Sequence, residues 1–129
     1  MAHTAHKTEE EKKEYFDSEE VLDDKITRLA ALITESKHFT AFTGAGISTA
    51  CGIPDFRSGV NTVLKTGPGA WEKRAQNIKD KPNKNVVEMA KAIPSFTHMT
   101  LVCLEEMGLL KYLVSQNTDG LHLRSGFNP

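Results

Sequence analysis

The sequence predicts an α/β fold, a parallel sheet flanked by helices, of which these residues form an incomplete first part. Two short β-rich runs, HFTAFT at 38–43 and LLKYLVS at 109–115, each lead straight into a turn-forming or polar cluster. Before and between them lie stretches whose apolar residues recur at helical spacing. Strands that alternate with helical patterns suggest a parallel sheet.

In chain order, residues 1–14 are charged and nearly free of large apolar groups, so they cannot offset the entropy of ordering. The expected division is a flexible charged terminus over 1–16 and a domain over 17–129. Asp17 or Ser18 can cap a helix whose first turn carries Glu19 and Glu20, favourable at the positive end of the helix dipole. Leu22, Ile26, Leu29 and Ile33 then share one face of a helix reaching about Lys37, and that face reads as core.

The strand at 38–43 reads as buried and feeds Gly44-Ala-Gly-Ile-Ser-Thr-Ala-Cys-Gly52. Gly44 and Gly46 permit a sharp turn and close approach to a ligand, with Ser48 and Thr49 as hydroxyls where the next helix opens. Strand, glycine turn and helix start form a phosphate-binding arrangement. Residues 53–71 read as a long connection punctuated by Pro54, Gly59, Gly67, Pro68 and Gly69, and such loops are usually functional or mobile. A Lys- and Asn-rich stretch at 77–85 precedes a helix expected near Asn85. Pro94 and Ser95 open another, with Phe96, Met99, Val102, Cys103 and Met107 on one face and Gly108 at its end. The second buried strand, 109–115, runs into Gln116-Asn-Thr-Asp-Gly-Leu-His122. In open α/β sheets ligands bind beyond the C-terminal ends of the strands.

The 129 residues allow one domain at most, with enough chain to bury a core. Sixteen basic and seventeen acidic side chains argue against a protein built to coat nucleic acid or anionic lipid, and no direct nucleic-acid site is visible. Residues 1–37 hold ten acids and six bases, and 38–129 hold seven acids and ten bases. The basic stretch over 65–91 reads as a solvated loop, with a phosphate or acidic partner as the alternative. No apolar run approaches a membrane span and the polar start is unlike a secretory signal, so a soluble, intracellular protein with no membrane partner is expected. Cys51 and Cys103 read as small packing groups, and no metal site is expected in this chain. His3 and His6 could bind a metal only adventitiously.

Nucleotide-binding classes separate on the glycine turn. No Gly-Lys-Ser/Thr follows, which excludes the P-loop. The dehydrogenase fingerprint fits at Gly44 and Gly46 but meets Thr49 at its third glycine, and the acidic ribose reader is missing. A Rossmann oxidoreductase is therefore the weaker alternative.

Read with its neighbours, Gly44-Ala-Gly-Ile-Ser-Thr-Ala-Cys-Gly-Ile-Pro-Asp-Phe-Arg57 resembles the hallmark of the sirtuins, NAD-dependent protein deacylases. Ser115-Gln-Asn-Thr-Asp-Gly-Leu-His-Leu-Arg-Ser-Gly126 is similar to their second motif. The wording of both, with Pro94, Thr97, His98 and Met99, looks most like class IV, the chromatin-associated sirtuins six and seven. The resemblance spans about 17–129 and implies the N-terminal portion of a Rossmann-like NAD-binding domain.

The resemblance implies that Ala45, Gly46 and Thr49 line the pyrophosphate and adjoining ribose of NAD. It places Phe56 and Arg57 in a cofactor loop near the nicotinamide, and makes Trp71 the tryptophan that closes over the cofactor. Gln116, Asn117 and Asp119 would line the nicotinamide ribose and amide pocket, with Asn117 in a supporting catalytic role. These roles suit the residue types. Asn and Gln donate to and accept from ribose hydroxyls, Asp119 can accept from a carboxamide N–H, and Phe56 can shield a reactive centre from water. Trp71 as a core anchor, Asp119 as a helix N-cap and Asp55 as a turn residue stay open. The sequence departs from the subclass at Ser58–Thr66, a longer connection than expected there.

His122, the tempting general base, is by resemblance a structural neighbour. The family's catalytic histidine and zinc-binding cysteines are expected further along than Pro129, so zinc belongs to the full-length protein and this chain alone is expected to be inactive. The implied chemistry is attack of an acyl-lysine carbonyl oxygen, as in a histone tail, on the nicotinamide ribose, with nicotinamide leaving and a histidine as base. ADP-ribosyl transfer is a second activity of the subclass. A non-catalytic NAD-binding or interaction module is the alternative. Subclass resemblance implies a nuclear location, with the cytoplasm as alternative.

Overall fold

The computed structural model describes residues 8–59, 62–79 and 83–128. His3 and His6 lie outside them. Within the terminus expected to be flexible, α1 (Glu9–Lys12) is a single turn closed by a capping box between Thr8 and Glu11. The Glu14 carboxylate accepts from Thr62 Oγ1 at 2.7 Å and from the Val63 amide at 3.1 Å.

The long amphipathic helix is α2 (Glu19–Glu35), capped by the Ser18 hydroxyl, which accepts from the Val21 amide. Its apolar face corrects the expectation of core: no residue of α2 is buried, and Leu22, Ile26 and Leu29 stay about half exposed. Periodicity reveals the stripe of a helix, whereas burial depends on what packs against it.

β1 (Phe39–Thr43) pairs in parallel with β2 (Leu110–Ser115), in a register that sets Phe42 beside Val114 and Thr43 beside Ser115. The crossover between them contains α3 (Ala70–Ala75) and α4 (Phe96–Glu106), and α4 packs on β2. The strands were expected to be buried. Leu110 is, but Phe42 and Tyr112 are 72% and 64% exposed. A parallel sheet is buried when helices cover both its faces, and the described helices leave much of this one open.

In α4 the Ser95 hydroxyl caps the first turn and the His98 side chain returns the bond. Gly108, at φ +70°, ends the helix. The broad apolar face expected here is also corrected: His98 and Val102 are buried, whereas Phe96, Met99, Cys103 and Met107 are exposed. The helix expected near Asn85 is only a 3-10 turn, Met89–Lys91, with no side-chain cap and with Pro94 just beyond it. The final helix, α5 (Leu121–Arg124), and α3 have four and six residues, too few for a helical period to register.

A small core joins Ile53, Ala92 and Leu121, with Cys51 and Val87 against it. Cys51 is thus a packing group as expected, whereas Cys103 is not. No described helix is long and apolar enough to cross a membrane.

Candidate functional site

Parallel pairing brings the C-terminal ends of both strands to one edge. The Gln116 amide donates to the Thr43 carbonyl at 3.2 Å, so the two motif segments leave the sheet side by side. Gly44 is extended, at φ −139°, and Ala45–Cys51 is a 3-10 helix rather than the expected α-helix. The anion-binding dipole of a full helix start is therefore not what the turn offers. A Cβ on Gly44 would lie 2.6 Å from Gln116 Nε2, the end of a flexible side chain, and nothing lies within 4 Å of one on Gly46, so contacts within the chain demand glycine at neither position.

The second motif locks onto the first. Asn117 Nδ2 donates to the Gly44 carbonyl at 2.9 Å. Ser48 is buried and its hydroxyl donates to Asp119 Oδ2 at 2.6 Å, while Asp119 Oδ1 accepts from the Leu121 amide at 2.9 Å. Asp119 thus satisfies an orphan donor at the start of α5 from the position before the N-cap, which is Gly120, so it is not itself the N-cap residue.

The far wall comes from the long connection. The amides of Gly69, Ala70 and Trp71 donate to the carbonyls of Ser58, Asp55 and Phe56 at 2.9, 3.0 and 2.8 Å, so the loop supplies acceptors for the first amides of α3. A Cβ at Gly69 would fall 2.3 Å from the Phe56 carbonyl carbon, so only glycine allows this approach. The Phe56 and Trp71 rings lie 5.1 Å apart, tilted by 39°, with the Arg57 guanidinium 5.2 Å from the Trp71 ring centre. The long 58–66 connection leaves Trp71 beside Phe56 because these backbone bonds bridge its two ends. Asp55 is a turn residue as well as a wall: Oδ1 accepts from the Ser58 amide at 3.1 Å.

These walls enclose a cavity of about 400 Å³ lined by Ala45, Gly46, Gln116 and Asn117 on one side and Asp55, Phe56, Arg57 and Trp71 on the other. Of the predicted site residues, Thr49 and Asp119 are not in this lining. Thr49 Oγ1 donates to the Gly46 carbonyl at 2.8 Å and lines a separate cavity, with Lys65 and Lys84 at its rim.

Two positioning residues were not singled out from sequence. Ser48 was noted only as a hydroxyl near the turn. Arg124 lies inside the second motif, where nothing but its charge marked it. Its guanidinium donates to the carbonyls of Met89, Ala90, Ala92 and Asp119 at 2.7–3.2 Å, tying the 3-10 turn to the site segment.

His122 is not in the lining either. Its Nε2 lies 2.9 Å from Thr43 Oγ1 and its ring centre 4.8 Å from that of His98. Burial pushes both imidazoles below their ordinary pKa, the neighbouring ring lowers His98 further, and the Asp119 carboxylate opposes the shift at both. Among the described residues no group of three or more His, Cys, Asp or Glu side chains could hold a metal ion.

Residues 44–129 match the Sir2 family. The chain is 53% identical over 114 residues to the NAD-dependent protein deacetylase SRT1 of Arabidopsis thaliana, covering 88% of this chain and 22% of that protein. It is 46% identical to the NAD-dependent protein deacetylase Sirt6 of Drosophila melanogaster, covering 89% of this chain and 33% of that one. A solved Sir2 structure with p53 peptide and NAD+ superposes at TM-score 0.57 and 30% identity, over 80% of this chain and 42% of that chain. The chain thus spans a third or less of these two relatives' length. With both strand-end motifs meeting at one cavity, and the family match running from Gly44 through the second motif, the chain belongs to the Sir2 family.

Proposed function

We propose that this chain is the NAD-binding portion of an NAD-dependent protein-lysine deacylase. The supporting observation is the convergence of residues from two motifs far apart in sequence on one cavity. Its volume lies in the range of small-molecule sites, and its lining combines apolar walls with a few polar groups. The donor set fits a dinucleotide: Arg57 for phosphate charge, Phe56 and Trp71 as flat apolar cover, and Gln116 and Asn117 for ribose hydroxyls.

Bound NAD supplies the nicotinamide–ribose bond whose cleavage drives acyl transfer. The chain's own residues orient and shield. Asn117 is fixed through Nδ2 by the Gly44 carbonyl, which leaves Oδ1 to accept from a ribose hydroxyl. The Phe56–Trp71 pair excludes water over the same pocket. Thr49 and Asp119 hold the backbone of the two motif segments. The carboxylate of the lining, Asp55, is engaged at both oxygens by Ser58, and His122 is engaged by Thr43 and lies outside the lining. A non-catalytic NAD-binding module is the second reading.

The proposed protein substrate, the acyl donor, is an acyl-lysine peptide such as a histone tail. A structural neighbour is Sir2 bound to acetylated peptide. A nuclear location and the division into a charged 1–16 terminus and a 17–129 domain belong to the same proposal. The test is calorimetric titration of NAD into this chain, followed by nicotinamide release by the complete protein with an acetyl-lysine peptide. Binding with peptide-dependent release supports the deacylase, and binding without release supports the module. NADH oxidation with an acceptor, or no binding, overturns both.

A further inference from the structure

We propose that His98 and His122 form one neutral positioning pair, a chain of hydrogen bonds that ties α4, the 119–122 segment and the end of β1 together and opens when either ring gains a proton. His98 is fully buried. The Ser95 amide donates to His98 Nδ1 at 3.2 Å, so the neutral ring carries its hydrogen on Nε2. That Nε2 is buried without a partner, and so is Nδ1 of His122, on a ring centred 4.8 Å away. The two orphans are complementary if His122 donates through Nε2–H to Thr43 Oγ1, leaving its Nδ1 as an acceptor. No direct bond joins the two nitrogens in this structure; one bridging water or a small shift of either ring would let His98 Nε2–H reach His122 Nδ1 and satisfy both buried groups.

A proton on either ring breaks the chain. On His98 it goes to Nδ1, which then no longer accepts from the Ser95 amide and donates instead to Ser95 Oγ, 2.8 Å away, so the capping box that opens α4 loses its returning bond. On His122 it removes the acceptor for His98. Facing the pair are Ser95 from α4, Thr43 from β1, Asp119 before α5 and the Phe127 ring, edge-on at 6.4 Å to His122. Asp119 is the charged member and is already engaged by Ser48 and Leu121. Thr43 adjoins Gly44, whose carbonyl holds Asn117, so loosening the pair reaches the cavity. This last link rests on the NAD reading.

Two measurements on the full chain test the proposal. Long-range ¹H–¹⁵N spectra of the imidazoles, which need no ligand, should show both rings neutral as Nε2–H tautomers at about pH 7, titrating together below the ordinary range of about 6.5. An Nδ1–H tautomer at either ring, or independent titration at the ordinary value, overturns it. NAD affinity should fall about tenfold between about pH 8 and about pH 5.5, and much less in the double variant His98→Gln/His122→Gln, in which neither position can titrate. An equal fall in the double variant overturns the link to the cavity. Absence of NAD binding at every pH refutes the NAD reading and leaves the spectra to decide on the pair.

Discussion

The amide of Trp71 donates to the carbonyl of Phe56 at 2.8 Å, and the same two residues stack their rings 5.1 Å apart. One backbone bond thus sets one wall of the cavity, and Gly69, two residues before Trp71, is what lets the chains approach.

Gly69→Ala should therefore cost about 1–3 kcal/mol of stability, since the new Cβ meets backbone that cannot rotate away. Trp71 is the only tryptophan, so its fluorescence reports the wall directly. A red-shifted emission and a lower denaturation midpoint are expected. A wild-type spectrum and midpoint would show that the loop accommodates the methyl group.

The buried Ser48 and the half-buried Asp119 share a charge-assisted hydrogen bond at 2.6 Å. Urea denaturation of Ser48→Ala, Asp119→Ala and the double variant should give a coupling of about 1–3 kcal/mol. Additive losses would mean that the two residues act separately.

Arg124 serves four carbonyls with one planar fork, a geometry that lysine cannot copy. Arg124→Lys should destabilise the chain by about 1–3 kcal/mol and speed amide exchange across 89–92. Unchanged exchange there would remove the tie.

Below about pH 6.5 stability should fall. Burial lowers the folded pKa of His98 and His122, so the unfolded chain binds more protons in the window beneath the ordinary histidine value. The contribution is complete above that value and is lost as pH falls toward the folded pKa. Denaturant midpoints measured through this window should drop in the wild type and drop less in His122→Gln. Equal slopes would assign the loss to other groups.

Both strands, the caps at Ser18 and Ser95 and the stop at Gly108 were legible because each rests on local chemistry: β-branched and aromatic runs, a hydroxyl acceptor, a left-handed residue. That Phe56 and Asn117 line one cavity was legible through the two motifs, and Trp71, outside both, only through the resemblance. Burial was not. Leu22, Ile26 and Phe42 have the pattern of core residues, but pattern carries no information on which partner covers them. The role of Gly69 was hidden because it depends on contact with Phe56, thirteen positions earlier, and the His98–His122 contact was hidden for the same reason.

Asn117→Ala removes both the Gly44 bond and the proposed ribose acceptor, so NAD affinity should fall about tenfold or more, with a sharp loss of NAD-dependent turnover in the complete protein. Unchanged affinity would take Asn117 out of the site.

The central claim is that the cavity between the two motifs holds NAD, and amide chemical-shift mapping during an NAD titration tests it most directly. The expected result is saturable shifts centred on Ala45, Gly46, Phe56, Arg57, Trp71 and Asn117. Shifts confined to the separate cavity beside Lys65 and Lys84, or none at all, would contradict it.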